Sequence, residues 1–409
     1  MKIGIDIRVL AKGKRTGVEE YTINFLSHLL NLDKSNKYRL FYSGFRKPKL
    51  NYSWLKSRNI KIKKIRIPNR ILDFFLKFLK FPRIDKILGG VDIFLSPHFL
   101  ITPLFQKTKR ILIFYDLSFV HFPEFFSKSK LFWHKFVSPK KQAQRADLII
   151  AISESTKKDL IETYGVNPEK IEVIYPGVDN KFRPMDKNNS DFINIKNKYG
   201  LPNKFILYFG TIEPRKNILG IIRAFEELKK THSNQQGNVQ WKGFEGMALG
   251  REKKFFDFSG LKLVIAGIKG WLYDEVFKAV ENSEFSKDIL FTGFVEEEDK
   301  PYLYSLTEIF VYPSFFEGFG LPPLEAMACG VPIIVSNKSS LPEVVGDAAI
   351  TVDPARTEEL VFAIRNILED RNLKERLMGR GLERIKNFKW ENGAKKFINI
   401  IKKYDNHPC

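Results

Sequence analysis

Short runs of apolar residues alternate along the chain with longer segments of helical periodicity. Such runs predict buried strands, and strands that alternate with helices are typical of parallel sheets covered on both faces. The pattern therefore predicts an α/β fold of doubly wound parallel sheets. The expected strands lie at 2–9, 38–43, 60–67, 91–95, 110–115, 147–152, 171–174, 205–209, 261–266, 289–292, 308–312, 331–335 and 349–352.

The series of strands is interrupted near 175–190 by a stretch rich in proline, glycine and polar residues. A chain of 409 residues is also long for a single hydrophobic core. We therefore predict two Rossmann-like domains, 1–186 and 187–388, and a final helix within 389–409. Residues 231–259 are polar and aperiodic, which predicts an insertion in the second domain.

The chain contains two cysteines, Cys329 and Cys409, which have no metal-ligand spacing. A disulfide framework and a structural zinc site are therefore not expected, and a reducing, cytosolic setting is favoured. The first residues are too polar for a signal peptide, and no stretch approaches the roughly 20 apolar residues that span a bilayer. We expect a cytoplasmic protein that can still lie on the inner face of the membrane.

The segment 312–330 reads Tyr-Pro-Ser-Phe-Phe-Glu-Gly-Phe-Gly-Leu-Pro-Pro-Leu-Glu-Ala-Met-Ala-Cys-Gly. It follows a strand with a glycine turn and places two prolines in the first turn of a helix, where a missing N–H costs little. Glu317 lies in the turn and Glu325 in the helix. Helix N-termini favour anions, and ligands of open α/β sheets bind at the carboxyl ends of strands. The segment therefore predicts a site for an anion such as a diphosphate.

A second strand, Phe205–Phe209, also ends in a glycine turn, at Gly210, before a helix that starts near Asn217. Arg215 and Lys216 lie just before that helix. A guanidinium can hold a phosphate with two hydrogen bonds, and an ammonium acts as a point charge. Glycine turns and solvated Arg-Lys pairs are common, so each segment alone is weak evidence. The two together, in this order, are far more specific.

The combination resembles the retaining glycosyltransferase family 4, whose GT-B fold has two Rossmann-like domains facing a cleft. The segment Glu-Gly-Phe-Gly-Leu-Pro-Pro-Leu-Glu at 317–325 is similar to the family's signature. The segment Gly-Thr-Ile-Glu-Pro-Arg-Lys-Asn at 210–217 is similar to its phosphate-binding segment. The resemblance covers nearly the whole chain except about 44–90 and 231–259.

The resemblance implies a nucleotide-diphosphate sugar as the donor substrate and no cofactor. It implies that Glu325 binds the ribose hydroxyls and that Glu317 contacts hydroxyls of the transferred sugar. Gly17 would let a loop of the first domain approach the donor, and the final helix would cross back to the first domain. The implied phosphate contacts are Arg215, Lys216, Gly210, Thr211 and the backbone N–H groups of Phe319, Gly320 and Leu321.

One segment departs from the family's pattern. Tyr115 and Asp116 stand where the family often has His-Asp, and that histidine commonly contacts the donor sugar. A tyrosine hydroxyl can still form a hydrogen bond with the sugar, but it carries no positive charge. Asp116 remains a candidate catalytic residue and Tyr115 a candidate substrate contact. The alternative for Tyr115 is a half-buried residue at the end of a strand.

Glycosyl transfer breaks the bond between the anomeric carbon and the diphosphate, and negative charge builds on the leaving phosphate. Fixed cations and helix-end N–H groups stabilise that charge in the transition state. We expect retention of configuration, with the leaving phosphate helping to deprotonate the acceptor. The absence of an Asp-x-Asp motif favours metal-independent donor binding. The resemblance also implies that mannose is the favoured sugar, from GDP-mannose or another donor such as a UDP-sugar, and that the acceptor is a glycan or lipid-linked acceptor in surface polysaccharide assembly.

Two other classes of protein are alternatives. A hydrolase with two catalytic carboxylates is disfavoured, because Glu325 lies on the helix beside the expected phosphate site and not across a cleft from Glu317. A non-transferring GT-B enzyme such as a nucleotide-sugar epimerase, or a sugar-nucleotide-binding protein without transfer activity, stays open.

Residues 45–90 hold 14 Lys or Arg residues and two Asp residues, with aromatic side chains between them. The run Arg-Ile-Leu-Asp-Phe-Phe-Leu-Lys-Phe-Leu-Lys-Phe at 70–81 is helical in pattern, apolar and cationic, as interfacial helices are. We predict docking on an anionic membrane surface, with a partly buried helix and a solvated basic face as the alternative. The net charge of +21 would also attract nucleic acid. No nucleic-acid-binding motif is recognisable, however, and nucleic acid is not an expected partner.

Overall fold

The computed structural model describes residues 1–12, 17–44, 52–186, 190–233 and 256–405. The chain forms two units. Unit 1 consists of Met1–His121, Lys128–Gly177 and Phe388–Cys409, and unit 2 of Phe122–Ser127 and Val178–Asn387. Unit 2 begins before the predicted boundary at 187, because the ring of Phe182 already packs on Tyr304 of that unit, with centroids 6.0 Å apart.

Unit 1 contains a parallel sheet of seven strands. They are β1 Lys2–Asp6, β2 Lys37–Ser43, β3 Ile60–Ile65, β4 Ile93–Ser96, β5 Lys109–Phe114, β6 Leu148–Ala151 and β7 Ile171–Val173. Their order is β3-β2-β1-β4-β5-β6-β7. The interior strands β4 and β6 are buried at every residue, as expected for a parallel sheet with both faces covered.

Unit 2 contains a parallel sheet of six strands. They are β8 Phe205–Phe209, β9 Lys262–Ala266, β10 Ile289–Gly293, β11 Ile309–Tyr312, β12 Ile333–Ser336 and β13 Ala349–Val352. Their order is β10-β9-β8-β11-β12-β13. In both sheets the order reverses direction beside the unit's first strand, at β1/β4 and at β8/β11. Such a reversal is where doubly wound sheets bind their ligands.

The strands are joined largely by helices. In chain order these are α1 Gly17–Leu32, α2 Asn69–Phe78, α3 Ile84–Ile87, α4 Ser118–His121, α5 Lys128–Val137, α6 Pro139–Arg145, α7 Glu154–Tyr164, α8 Asp191–Tyr199, α9 Ile218–Ser233, α10 Asp274–Glu281, α11 Lys300–Leu306, α12 Leu321–Ala328, α13 Leu341–Val345, α14 Thr357–Glu369, α15 Arg371–Arg384 and α16 Trp390–Asp405. Within the described parts of the chain, no helix is long and apolar enough to cross a membrane.

A strand is present at every position that the apolar runs predict, but the first is shorter than expected. The predicted strand 2–9 ends at Asp6, and residues Arg8–Lys12 form a 3-10 helix. The backbone N–H of Arg8 donates to Oδ1 of Asp6 at 3.0 Å, and the guanidinium bonds both oxygens of the same carboxylate. This local pairing turns the chain out of the sheet, which the apolar pattern alone does not reveal.

The final helix, α16, belongs to unit 1. It packs on α1, where Phe397 meets Phe25 with ring centroids 5.5 Å apart and Trp390 meets Tyr21 at 5.2 Å. Gly177 comes so close that a Cβ there would lie 2.1 Å from the backbone nitrogen of Trp390. A glycine is therefore required where the chain of unit 1 approaches the start of this helix.

Parts of two predicted segments lie outside the described residues. Of the predicted insertion 231–259, the structure describes 231–233, which end α9, and 256–259, where the Phe258 side chain is buried. Of the basic segment 45–90, it describes 52–90.

Candidate functional site

The two predicted site segments meet at the reversal point of the unit 2 sheet. The loop that follows β8 carries Arg215 and Lys216, and the loop that follows β11 carries Glu317. Strands β8 and β11 are neighbours and parallel, so their carboxyl ends lie at the same edge of the sheet. The topology therefore brings together residues separated by about a hundred positions in the sequence.

Lys216 and Arg215 both hold the carboxylate of Glu317. The Lys216 ammonium donates to Oε1 of Glu317 at 2.5 Å and to the Tyr312 hydroxyl at 2.6 Å. The Arg215 guanidinium donates to Oε2 of Glu317 at 3.2 Å and to the backbone carbonyl of Phe316 at 2.9 Å. Each carboxylate oxygen thus has its own cation, which fixes the side chain in one orientation.

The site is almost entirely removed from water. Burial raises the pKa of Glu317, but the neighbouring charges of Arg215 and Lys216 more than offset this, so the pKa is lowered overall. Burial lowers the pKa of Lys216, and the charge of Glu317 opposes that shift. Glu317 is therefore ionised at neutral pH and held by fixed positive charge.

Glu213 completes this cluster, although no sequence pattern predicts a role for it. Its Oε1 accepts hydrogen bonds from Nε and Nη2 of Arg215, at 3.0 and 2.8 Å. Glu213 is buried, and its spacing of two residues before Arg215 is the only sequence signal of the contact. Two carboxylates and two cations therefore lie together, so the local charge is balanced and the cations are held in position.

Gly320 provides the turn that leads into α12. Its φ of 111° suits glycine, and a Cβ at this position would lie 2.7 Å from Cδ2 of Leu341. The Ser340 hydroxyl donates to the backbone carbonyls of Glu317 and Phe319, at 2.9 and 3.0 Å. Because Pro322 and Pro323 have no N–H, the backbone donors at this helix end come from Leu321 and the residues before it.

Glu325 lies buried on α12, in a second polar pair that the sequence did not reveal. The Tyr304 hydroxyl on α11 donates to its Oε2 at 2.8 Å. Burial raises the pKa of Glu325, and the charge of Lys300 together with the Tyr304 hydrogen bond opposes this shift. Lys300 itself is paired with Glu297 at 2.5 Å. Neither Lys300 nor Tyr304 belongs to a sequence motif, so only the fold reveals their interactions with Glu325.

Gly210 and Thr211 lie in the tight turn after β8. The backbone N–H of Gly210 donates to the carbonyl of Ala266 on β9 at 2.9 Å. The Tyr208 hydroxyl donates to the carbonyl of Thr211 at 3.1 Å. A Cβ on Gly267 would lie 2.0 Å from the carbonyl oxygen of Gly210, so the two turns approach as closely as backbone allows.

The remaining predicted residues lie in unit 1. Asp116 follows β5 and accepts hydrogen bonds from the N–H and the hydroxyl of Ser118, at 2.9 and 2.5 Å. Tyr115 is buried, its hydroxyl lies 3.3 Å from the Thr22 hydroxyl and its ring packs edge-on against Tyr21. Burial raises the pKa of Tyr115, so it stays neutral. Gly17 is the first residue of α1, and residues 13–16 before it lie outside the described chain.

The unit 2 cluster can stabilise an anion through preset cations. Arg215 and Lys216 need no reorganisation to present positive charge, because Glu213, Glu317 and Tyr312 already orient them. Within the described ranges, no group of three or more His, Cys, Asp or Glu side chains is arranged to hold a metal ion. The cluster thus places two side-chain cations near the start of α12, an arrangement that can accept an anion.

Comparison with known protein families matches both units. Residues 15–182 match the family described as Glycosyltransferase Family 4, and residues 191–384 match Glycosyl transferases group 1. The O-antigen chain mannosyltransferase B of Escherichia coli is 31% identical over 319 residues, which cover 78% of this chain and 74% of that protein.

A second relative is more distant. The N-acetylgalactosamine-N,N'-diacetylbacillosaminyl-diphospho-undecaprenol 4-alpha-N-acetylgalactosaminyltransferase of Campylobacter jejuni is 27% identical over 252 residues. These cover 60% of this chain and 57% of that protein.

The fold matches solved structures over almost the full chain. Sucrose-phosphate synthase from Thermosynechococcus elongatus superposes with a TM-score of 0.74 at 19% identity, over 98% of each chain. At this identity the likeness shows the fold alone. The two parallel sheets and the family matches confirm the predicted fold and the predicted family. This chain is a GT-B glycosyltransferase and belongs to glycosyltransferase family 4.

Proposed function

We propose that the enzyme transfers mannose from a nucleotide-diphosphate sugar to a glycan or lipid-linked acceptor in surface polysaccharide assembly. The observation that carries the proposal is the Glu317–Arg215–Lys216 cluster, which holds two cations at the reversal point of the unit 2 sheet. The preference for mannose rests on the E. coli relative, which is named an O-antigen chain mannosyltransferase.

The residues of unit 2 take the following roles in this proposal. Arg215 and Lys216 hold the diphosphate with the backbone N–H groups of Phe319, Gly320 and Leu321 and the Gly210–Thr211 turn. Glu325 binds the ribose hydroxyls, and Glu317 binds hydroxyls of the transferred sugar. The cations stabilise the negative charge that builds on the leaving phosphate, and losing one such group costs about 3 kcal/mol of transition-state stabilisation.

The reaction proceeds with retention of the anomeric configuration and without a metal ion. The leaving phosphate accepts the proton of the attacking acceptor hydroxyl on the same face of the sugar. Asp116, Tyr115 and Gly17 of unit 1 are the candidate contacts to the sugar and the acceptor. The enzyme works in the cytoplasm, at the inner face of the membrane, where its basic segment 45–90 meets anionic lipid.

A lipid-linked acceptor is supported by the second relative. The C. jejuni enzyme is named for transfer to a sugar carried on diphospho-undecaprenol. An acceptor of that class has its sugar at the membrane surface and its lipid in the bilayer.

A thermal-shift panel tests the donor site. Wild type, Glu325→Gln and the exposed control Glu284→Gln are each melted with GDP-mannose, UDP-glucose, UDP-N-acetylglucosamine and dTDP-rhamnose. A ligand at about 100 times its dissociation constant stabilises the fold by about 2.7 kcal/mol. One donor is expected to stabilise wild type and the control but not Glu325→Gln. Stabilisation that survives Glu325→Gln, or none with any nucleotide sugar, contradicts the proposed site.

A transfer assay then tests the chemistry. Product formed from the stabilising donor is examined by NMR, and an anomeric configuration equal to that of the donor is expected, in the presence and absence of EDTA. An inverted linkage contradicts the proposed mechanism, and loss of activity with EDTA contradicts metal independence. Conversion of the donor to an epimer without acceptor would identify a non-transferring enzyme instead.

A further inference from the structure

The outer face of α2 in unit 1 presents a continuous row of large apolar side chains to solvent. The exposed residues on the helix and just after it are Ile71, Phe74, Phe75, Phe78, Leu79 and Phe81. The inner face is firmly packed, since Leu72 and Leu76 are buried and Asp73 accepts a hydrogen bond from the guanidinium of Arg8 at 3.0 Å. The helix is thus anchored on one side while its other side remains apolar, which marks an interaction surface.

The exposed surface continues onto α5, which lies outside the segment that the sequence singled out. The Lys77 ammonium donates to the backbone carbonyl of Phe136 at 2.6 Å and lies 3.9 Å from the centre of its ring. The rings of Phe78 and Phe136 are 6.3 Å apart. One helical turn earlier, Phe132 is 71% exposed. Helices α2 and α5 therefore share one apolar surface.

The segment that carries α2 is strongly cationic. Residues 52–90, which are all described, contain eleven Lys or Arg residues and two acidic residues, Asp73 and Asp85. Asp73 pairs with Arg8, and Asp85 accepts hydrogen bonds from the Phe105 N–H and the Thr108 hydroxyl, each at 2.9 Å. Both carboxylates are therefore committed to internal contacts. Exposed apolar rings among outward-facing cations match an anionic lipid surface, where rings insert and ammonium groups stay with the headgroups.

A pocket of about 500 Å³ in the same unit is lined largely by residues of α5 and α6. Its lining includes three lysines, Lys135, Lys140 and Lys141, with Ser138 and Gln144 as further hydrogen-bonding groups. None of the described residues that line the pocket is acidic. Its positive charge therefore faces a space large enough for a phosphate or diphosphate group.

The pocket lining also includes apolar and aromatic side chains. The rings of Phe119 and His134 stack with centroids 4.0 Å apart. Burial lowers the pKa of His134 to about 4, so the ring is neutral at pH 7 and the charge of the pocket comes from its lysines. Asp116 lies near enough to help raise the pKa of Tyr164, but it does not line the pocket. A pocket lined by both apolar side chains and three lysines suits a phosphate that is attached to a hydrocarbon.

We propose that unit 1 docks on an anionic phospholipid bilayer through the outer face of α2 and Phe132 of α5, and that the lysine pocket binds the phosphate of a lipid in that bilayer. The inference deepens the proposed function and rests on it, since docking of this kind delivers the enzyme to a lipid-linked acceptor. The rings of Phe74, Phe78 and Phe132 insert below the headgroups. Lys140 and Lys141 contact the phosphate.

Sedimentation of the full chain with vesicles tests the proposal. Vesicles of phosphatidylcholine alone are compared with vesicles that also contain phosphatidylglycerol. Binding is expected only with the anionic lipid and is expected to weaken with added salt. Phe78→Ala should reduce the partition coefficient about tenfold. The matched control Phe294→Ala removes a ring that is similarly exposed in unit 2, 55% against 59% for Phe78, and should leave it unchanged.

The pocket is tested separately. Lys140→Gln with Lys141→Gln should weaken vesicle binding by about fivefold for each lysine, while Lys402→Gln with Lys403→Gln, two exposed lysines of α16 in the same unit, should have a smaller effect. Soluble diphosphate should compete with vesicles only at concentrations far above that of the lipid phosphate, because it lacks the apolar part. Competition at equal concentrations would show a site for free phosphate and overturn the lipid assignment.

Other outcomes also overturn the proposal. Equal binding to neutral and anionic vesicles, equal loss in the control variants, or a self-association that Phe78→Ala abolishes without any vesicle binding would each do so. The donor-dependent thermal shift is measured on every variant. If it persists while vesicle binding is absent, docking fails and the proposed transferase function stands.

Discussion

The two sheets each place an arginine at the same topological point, and the two arginines differ in their access to solvent. In unit 1, Arg8 follows β1 and donates to the carbonyl of Ile101, in the loop after β4. In unit 2, Arg215 follows β8 and donates to the carbonyl of Phe316, in the loop after β11. Each arginine thus joins the two loops that flank the reversal point of its sheet.

Solvent access separates their roles. The Arg8 side chain is 2% exposed and also binds Asp6 and Asp73, so its donors serve the fold. The Arg215 side chain is 14% exposed. Arg8 is therefore fixed by internal contacts in unit 1, whereas Arg215 in unit 2 keeps part of its side chain open to solvent, as the proposed phosphate contact requires. Changes to the two clusters should separate stability from activity.

Arg8→Met should have the largest effect, on stability. It leaves the carboxylates of Asp6 and Asp73 without their shared cation, and breaking a buried pair in this way costs about 3–5 kcal/mol. Chemical denaturation followed by circular dichroism measures the change. Arg145→Met, which alters an exposed arginine of the same unit, is the control. A loss no larger than that of the control would show that the Arg8 cluster is dispensable.

Arg215→Lys should come next, and its effect should fall on activity. Lysine keeps the charge but cannot hold Glu213, the Phe316 carbonyl and a phosphate in the same planar geometry. The transfer rate should fall by about 100-fold or more, with little change in melting temperature. Arg223→Lys, on the exposed side of α9, should transfer at the wild-type rate. If Arg215→Lys instead unfolds the protein, the contrast with Arg8 disappears.

Tyr304→Phe should have a smaller effect. It removes the hydroxyl that donates to buried Glu325, and a hydrogen bond to a charged group contributes about 1.5–3 kcal/mol. Both the melting temperature and the affinity for the donor should fall. The neighbouring Tyr302→Phe changes a hydroxyl that bonds Asp191 at an exposed position and should change neither. Unaltered donor affinity in Tyr304→Phe would remove this hydroxyl from the site.

The smallest expected effect concerns how stability depends on pH, because Glu317 and Glu325 should change it in opposite directions. The pKa of Glu317 is lowered from its ordinary 4.5, so its contribution to stability is complete above that pH and is lost as pH falls through the folded-state pKa. The pKa of Glu325 is raised from 4.5, so stability decreases as pH rises from that value through its folded-state pKa.

Two variants measure this difference. Glu325→Gln should be more stable than wild type at pH 7 and equal to it near pH 4. The deficit of Glu317→Gln at pH 7 should shrink below pH 4.5. Thermal melts across this range provide the test, and parallel pH profiles for the two variants would contradict the opposite shifts.

The sequence predicts the strands and the loops of the candidate site because both depend on local signals. Apolar runs mark strands such as β8 and β11, and glycine turns mark the loops that carry Arg215 and Glu317. The predicted end of β1 is wrong because Asp6 and Arg8 pair through their side chains, which an apolar pattern does not reveal. The role of Tyr304 is not predicted because its contact with Glu325 depends on how α11 packs on α12. The sequence also does not predict that Phe132 shares the apolar surface of α2, since its place there is set by tertiary packing.

The position of α16 imposes an order on biosynthesis. Unit 1 takes its last helix from residues that follow the whole of unit 2. A ribosome that adds about 5–20 residues per second therefore completes every residue of unit 2 before it makes the helix that covers Tyr21 and Phe25 of α1. The unit encoded first is finished last, and until then the nascent chain carries an uncovered aromatic face that a chaperone can recognise.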